Sequence, residues 1–128
     1  MKLIRTGYFR EMPHGEENDP SIKEAMNGLK LDQDTERIID YLDAGKTLVV
    51  CCGSSIDVVD PEKGISGTPS MLTDGVWVWP GDLSYYVRNY HVAIDAAFVE
   101  HMRSNNWAID SIPINVNQEE IEFVGTKL

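Results

Sequence analysis

The chain has 128 residues and a mass of 14.4 kDa, which is the length of one domain. Its 21 acidic side chains outnumber 11 basic ones, so the formal net charge is −10. Nucleic acids and anionic membranes are bound by clustered Lys and Arg, and this balance argues against both as direct partners. The sequence has neither a bilayer-length apolar run nor a signal peptide, which predicts a cytoplasmic protein.

The first part of the chain predicts a strand, an acidic loop and two helices. Residues 3–9 have the apolar pairs of a strand or strand pair, and residues 12–19 are rich in turn formers and acids. A helix is predicted with Asp19 as its cap, and a second from about Thr35 to Ala44, because apolar residues recur at helical spacing.

The apolar run 47–52 predicts a central strand that is buried on both faces. It contains the two cysteines, Cys51 and Cys52, whose side chains would point to opposite faces of a strand. Adjacent cysteines also do not match the C-x₂-C spacing of metal sites. We therefore expect both to be buried apolar fillers rather than redox or nucleophilic groups, with a vicinal disulfide as the alternative.

The second part predicts a loop, a hairpin and two more helices. Residues 53–69 read mostly as loop, and Asp74-Gly75 between apolar runs predicts a hairpin. One helix follows Pro80, and another runs from the cap Asp95 to about Ser104.

At the C-terminus, alternating apolar residues predict an edge hairpin formed by residues 112–116 and 121–123. Strand signals flank and interrupt the helices. The sequence therefore predicts one α+β domain over residues 1–128, with a small, mainly antiparallel sheet packed against about four helices.

The sequence shows no catalytic constellation. Its histidines form no metal-binding pair, and no nucleophile elbow or phosphate loop is present, which predicts a non-enzyme without metal or cofactor. His14 is the candidate general base, because Glu16, Glu17 and Asp19 follow it closely; the competing interpretation is a solvated loop histidine.

The paired tryptophans allow a second interpretation, a small enzyme or small-ligand-binding protein with a pocket near Trp77, Trp79 and Tyr86. Aromatic residues at strand alternation are more often core, with Trp77 and Trp79 on one face and Val76 and Val78 on the other. We expect a core that includes the following residues: Val49, Trp77, Val78, Leu83, Val87 and Phe98.

The block TDGVWVWPGDLSYYV at residues 73–87, continuing to Met102, resembles a group of small bacterial cytoplasmic proteins from toxin–immunity loci. These include contact-dependent growth inhibition systems. Weaker matches upstream extend the resemblance over most of the chain up to Trp107. The resemblance implies an immunity protein that binds and neutralises a cognate toxin by occlusion, and such a protein needs no active site.

Nuclease toxins are typically basic, so an acidic inhibitor would be complementary to them in charge. A protein-binding regulator that has no toxin partner is a third interpretation. We expect the contacts to be made by acids on loops, where side chains are displayed without core constraints. The predicted partner-binding residues are Glu16, Glu17, Asp19, Asp57, Asp60 and Glu62.

Overall fold

A computed structural model describes residues 2–109 and 122–125 of the chain. In chain order the elements are β1 (Lys2–Arg5), α1 (Ile22–Ala25), α2 (Thr35–Asp43), β2 (Lys46–Val49), β3 (Ser55–Ile56), a 3₁₀ turn (Pro61–Lys63), β4 (Ile65–Gly67), β5 (Met71–Thr73), β6 (Trp77–Pro80), α3 (Leu83–Tyr90), α4 (Ala96–Ser104) and β7 (Glu122–Gly125). None of the described helices combines the length and the apolarity that crossing a membrane requires.

The described strands form one five-stranded sheet, in the order β2-β5-β6-β1-β7, and a two-stranded sheet of β3 and β4. The predicted α+β class is confirmed. The large sheet is mixed: β2, β5 and β6 pair antiparallel, whereas β1 runs parallel to both β6 and β7. Antiparallel pairing therefore accounts for only half of the large sheet, less than the sequence predicts.

The Asp-Gly hairpin is confirmed between β5 and β6. Asp74 Oδ1 accepts hydrogen bonds from the amides of Val76 (2.9 Å) and Trp77 (2.7 Å), and Gly75 has a φ of +95°. Glycine adopts this left-handed backbone without strain, which fits it to the turn. The hairpin therefore fixes the register of the two strands that carry the tryptophans.

The core is built where the helices cover one face of the large sheet. The Trp77 ring stacks on Phe98 with centroids 4.9 Å apart, and the buried Trp79 indole donates to the carbonyl of Leu42 at 3.1 Å. Val78 points the other way and packs with Leu3. Of the predicted core residues, Val49 alone is half-buried rather than buried.

The prediction of a central strand at residues 47–52 is wrong. β2 ends at Val49 and is an edge strand of the described sheet. Val50 is 76 % exposed, Cys51 is half-buried and Cys52 is exposed, and both thiols are free. The cysteines are therefore not buried fillers, because an apolar run does not specify whether a strand lies at the centre or the edge of a sheet.

Two other predicted boundaries change. The first helix is a single turn, capped by Ser21 rather than Asp19 and stopped before Asn27, whose φ is +60°. Residues 53–69 contain β3, β4 and the 3₁₀ turn. Of the predicted C-terminal hairpin, residues 112–116 lie outside the described residues. Its second strand lies in β7, which pairs in parallel with β1.

Candidate functional site

The two acid-rich loops that the sequence predicts as partner-binding lie side by side. A groove of about 540 Å³ separates loop 10–20 from loop 53–63. Glu11 and Pro13 line one side, and residues 54–58 with Pro61 line the other. We call this region the acidic face, defined by residues 10–20 and 53–65.

Loop 10–20 is held against the fold by two carboxylates. Arg5 donates two hydrogen bonds to Asp19, with Nη1–Oδ1 at 2.5 Å and Nη2–Oδ2 at 2.8 Å. At the other end, Glu11 accepts from the Ser21 hydroxyl at 2.6 Å and from the Ile22 amide at 2.8 Å. Burial favours a higher pKa for Glu11, but these hydrogen bonds outweigh it and hold the pKa below its ordinary value. Glu11 thus stays ionised at neutral pH.

Loop 53–63 is held by the buried carboxylate of Asp57. Its Oδ2 accepts from the hydroxyls of Tyr85 (2.7 Å) and Tyr90 (2.6 Å), and its Oδ1 accepts from the amides of Val59 and Asp60, both at 2.8 Å. Burial favours a raised pKa for Asp57, yet these four donors hold the pKa below its ordinary value. Asp57 is therefore an anion inside the fold.

The acidic face also exposes apolar side chains. Ile56 on β3 and Ile65 on β4 are opposite each other in the two-stranded sheet, and they are 55 % and 64 % exposed. The exposed Glu62 follows Pro61 in the 3₁₀ turn next to this pair. An apolar centre with a charged rim is the usual composition of a protein-binding surface.

The six predicted contact residues divide by burial. Glu16, Glu17 and Glu62 are exposed, whereas Asp19 is half-buried on Arg5 and Asp60 is half-buried as the cap of the 3₁₀ turn. Asp57 is fully buried, so its expected role as a displayed loop contact is wrong. Its carboxylate accepts four hydrogen bonds from tyrosines and amides of its own chain.

Sequence reasoning missed three residues of this face, namely Glu11, Ile56 and Ile65. Glu11 lies one residue before the predicted loop, and the acidic residues that follow it are the sequence pattern that could have identified it. The two isoleucines lie in strands of two and three residues, which are too short to show an alternating pattern.

His14 is not a solvated loop histidine. Its Nε2 lies 3.6 Å from Oδ1 of the buried Asp82, and its ring meets Tyr8 edge to face at 5.3 Å. Arg5, Tyr8, His14 and Cys51 line a cavity of about 270 Å³. Both imidazole nitrogens are shielded from solvent and have no hydrogen-bond partner among the described residues. The imidazole therefore lines the cavity with both of its nitrogens turned away from solvent.

The side chains proposed to line a ligand pocket fill the core instead. Trp77, Trp79 and Tyr86 are buried. Tyr86 accepts from the Val58 amide at 3.0 Å and so joins the core to loop 53–63. Within residues 2–109 and 122–125, no group of three His, Cys, Asp or Glu side chains is arranged to hold a metal ion.

The acidic face is thus the region that the geometry brings together from both predicted loops. Comparison with protein-family models, curated proteins and solved structures gives no match to this chain.

Proposed function

We propose that this protein is an immunity protein that binds a cognate, basic, nuclease-type bacterial toxin and neutralises it by occlusion. The observation that carries the proposal is the acidic face, where two loops distant in sequence line one groove beside an exposed isoleucine pair. The resemblance of the tryptophan block to toxin–immunity proteins supports the same function and a cytoplasmic location.

The charge of the acidic face suits a basic partner. Residues 10–20 and 53–65 contain seven acidic and two basic side chains. Complementary charge raises association rates by orders of magnitude and discourages wrong partners. A nuclease needs a basic surface to bind phosphates, so an acidic protein seated there would keep the nucleic acid out.

The hydrogen bonds of Asp57, Asp19 and Glu11 prepare the acidic face before any partner arrives. Loops that are already ordered lose less conformational entropy on binding, which leaves more of the contact energy as affinity. The proposed mechanism is therefore coverage by a preformed surface, and no chemical step is needed.

Co-expression with the toxin encoded beside its gene tests the proposal. We expect the wild-type protein to restore growth, because it would keep the toxin from its substrate. Reversing the three exposed acids of the acidic face should abolish protection without unfolding the protein. The variant combines Glu16→Lys, Glu17→Lys and Glu62→Lys.

A matched control makes the same change of charge elsewhere. It reverses exposed acids on α2 and α4, where the existing ion pairs are surface pairs of small energetic value. The control combines Glu36→Lys, Asp40→Lys and Glu100→Lys. The proposal fails if the wild type gives no protection, and the assignment of the face fails if both triple variants protect equally.

A further inference from the structure

The groove of the acidic face has in its wall a buried anion that is hydrogen-bonded but forms no ion pair within the described residues. Asp57 lines the groove and is 0 % exposed, and all four of its hydrogen-bond donors are neutral hydroxyls or amides. No basic side chain of the described residues forms an ion pair with it. Lys63 instead places its ammonium over the Tyr90 ring, 4.6 Å from the ring centre. A cation in the groove would be attracted to this charge through the groove wall.

The same groove holds a polar group without a partner. Ser55 lines it and is 4 % exposed, and its hydroxyl oxygen forms no hydrogen bond with any described residue. A buried hydroxyl left unpaired lowers stability, so a donor supplied from outside would be favourable there. Glu11 on the opposite wall adds a second carboxylate.

The remaining lining is apolar. Pro13 and Pro61 lie on opposite walls, and Ile56 exposes more than half of its surface beside them. An occupant suited to this groove has an aliphatic stem and a charged end that donates hydrogen bonds. Lysine and arginine are the side chains with both properties.

We propose that this groove receives one lysine or arginine side chain of the toxin, which makes it the centre of the interface. The inference rests on the function proposed above. The aliphatic stem lies on Ile56, and the cationic end points towards Ser55 and Asp57. Apolar toxin residues that flank the basic one cover the neighbouring Ile65.

The groove is tested by affinity measurements with the purified toxin domain. This domain is the one encoded beside this gene, and a mutation makes it inactive. We expect Ile56→Ala to raise the Kd about tenfold or more, as truncation of a central contact does. Leu31→Ala is the matched control, because Leu31 is 57 % exposed and lies outside the acidic face. Its Kd should stay within about twofold of wild type, as expected of a residue outside the interface.

A double-mutant cycle identifies the occupant. Each lysine and arginine of the toxin is replaced by alanine and tested against wild type, Ile56→Ala and Asp57→Asn. We expect one basic residue whose loss raises the Kd, and whose effect largely disappears when Ile56→Ala is already present. Ser55→Ala serves as a second groove variant should Asp57→Asn fail to fold, which circular dichroism would show.

The outcomes separate the two proposals. If wild type does not bind the toxin domain, the proposed function and this inference both fail. If wild type binds, but Ile56→Ala behaves like Leu31→Ala, the groove is not the centre of the interface although the immunity function stands. If no lysine or arginine of the toxin is coupled to the groove variants, the basic occupant is likewise overturned.

Discussion

Replacing Asp57 by alanine removes the acceptor of four hydrogen bonds at once. Tyr90 is buried, and Tyr85, Val59 and Asp60 are half-buried, so these donors keep only partial access to water. A donor left unpaired in a buried position costs about 1–3 kcal/mol. Allowing the more exposed donors to turn to water, we expect Asp57→Ala to lower the free energy of unfolding by about 3–5 kcal/mol.

Chemical denaturation followed by tryptophan fluorescence measures this change, because Trp77 and Trp79 are buried in the core. Asp57→Asn is the matched control: its amide oxygen still accepts two of the four hydrogen bonds, whereas its NH2 group donates and cannot accept the other two, and the charge is absent. We expect this variant to lose roughly half as much stability as the alanine variant. A loss below about 1 kcal/mol for Asp57→Ala would refute the view that this carboxylate holds loop 53–63 in place.

The pH dependence of stability gives an independent check. The pKa of Asp57 in the folded protein lies below its ordinary value of 3.8. Its ionised form therefore stabilises the fold above that ordinary pKa, and the contribution is lost as pH falls through the lower, folded pKa. We expect the wild-type free energy of unfolding to decrease below about pH 4, and less steeply in Asp57→Asn. Glu11, whose pKa is also lowered, contributes to the pH dependence in the same direction.

Four further predictions concern Tyr85, the core, the association with the toxin and His14. The hydrogen bond to Asp57, together with burial, raises the pKa of Tyr85 to about 12. The stabilising effect of this hydrogen bond is therefore complete below pH 10 and is lost as pH rises towards 12. Tyrosinate absorbance should show that the pKa of Tyr85 falls in Asp57→Asn. Trp77→Ala should lower the free energy of unfolding by about 3–5 kcal/mol, and an unchanged melting curve would contradict its place in the core. The association rate with the toxin domain should fall steeply as salt is added, which stopped-flow mixing measures; a rate independent of salt would exclude electrostatic steering. His14→Ala should still protect cells in co-expression, whereas lost protection with intact toxin binding would indicate catalysis.

Local patterns predicted the parts of the fold that local chemistry determines. The Asp-Gly pair specified the hairpin, and helical spacing specified α2, α3 and α4 within a few residues. The parallel placement of β1 between β6 and β7 depends on pairing between distant segments. The edge position of β2 follows from that same order, and no local pattern in residues 46–52 signals it.

The sequence was sufficient to predict the composition of the acidic face but not that its two loops lie side by side. Acid-rich, turn-rich sequence placed both loops at the surface, and the groove between them appears only in the fold. Asp57 shows why: its tyrosine donors lie 28 and 33 residues further along the chain. A sequence shows that a residue can carry a charge, whereas its burial depends on which distant side chains surround it.

Burial also divides the acids of this face into two sets with different consequences. Glu11, Asp19 and Asp57 hold the loops through hydrogen bonds, so replacing them changes stability as well as binding, and their effect on the Kd does not report the surface alone. Glu16 and Glu62 are exposed, and on a chain of net charge −10 their repulsion of other acids opposes folding. We expect the removal of these charges to leave the free energy of unfolding unchanged or higher, which chemical denaturation measures. When such a variant unfolds at the same denaturant concentration as wild type, a loss of toxin binding reports the surface itself.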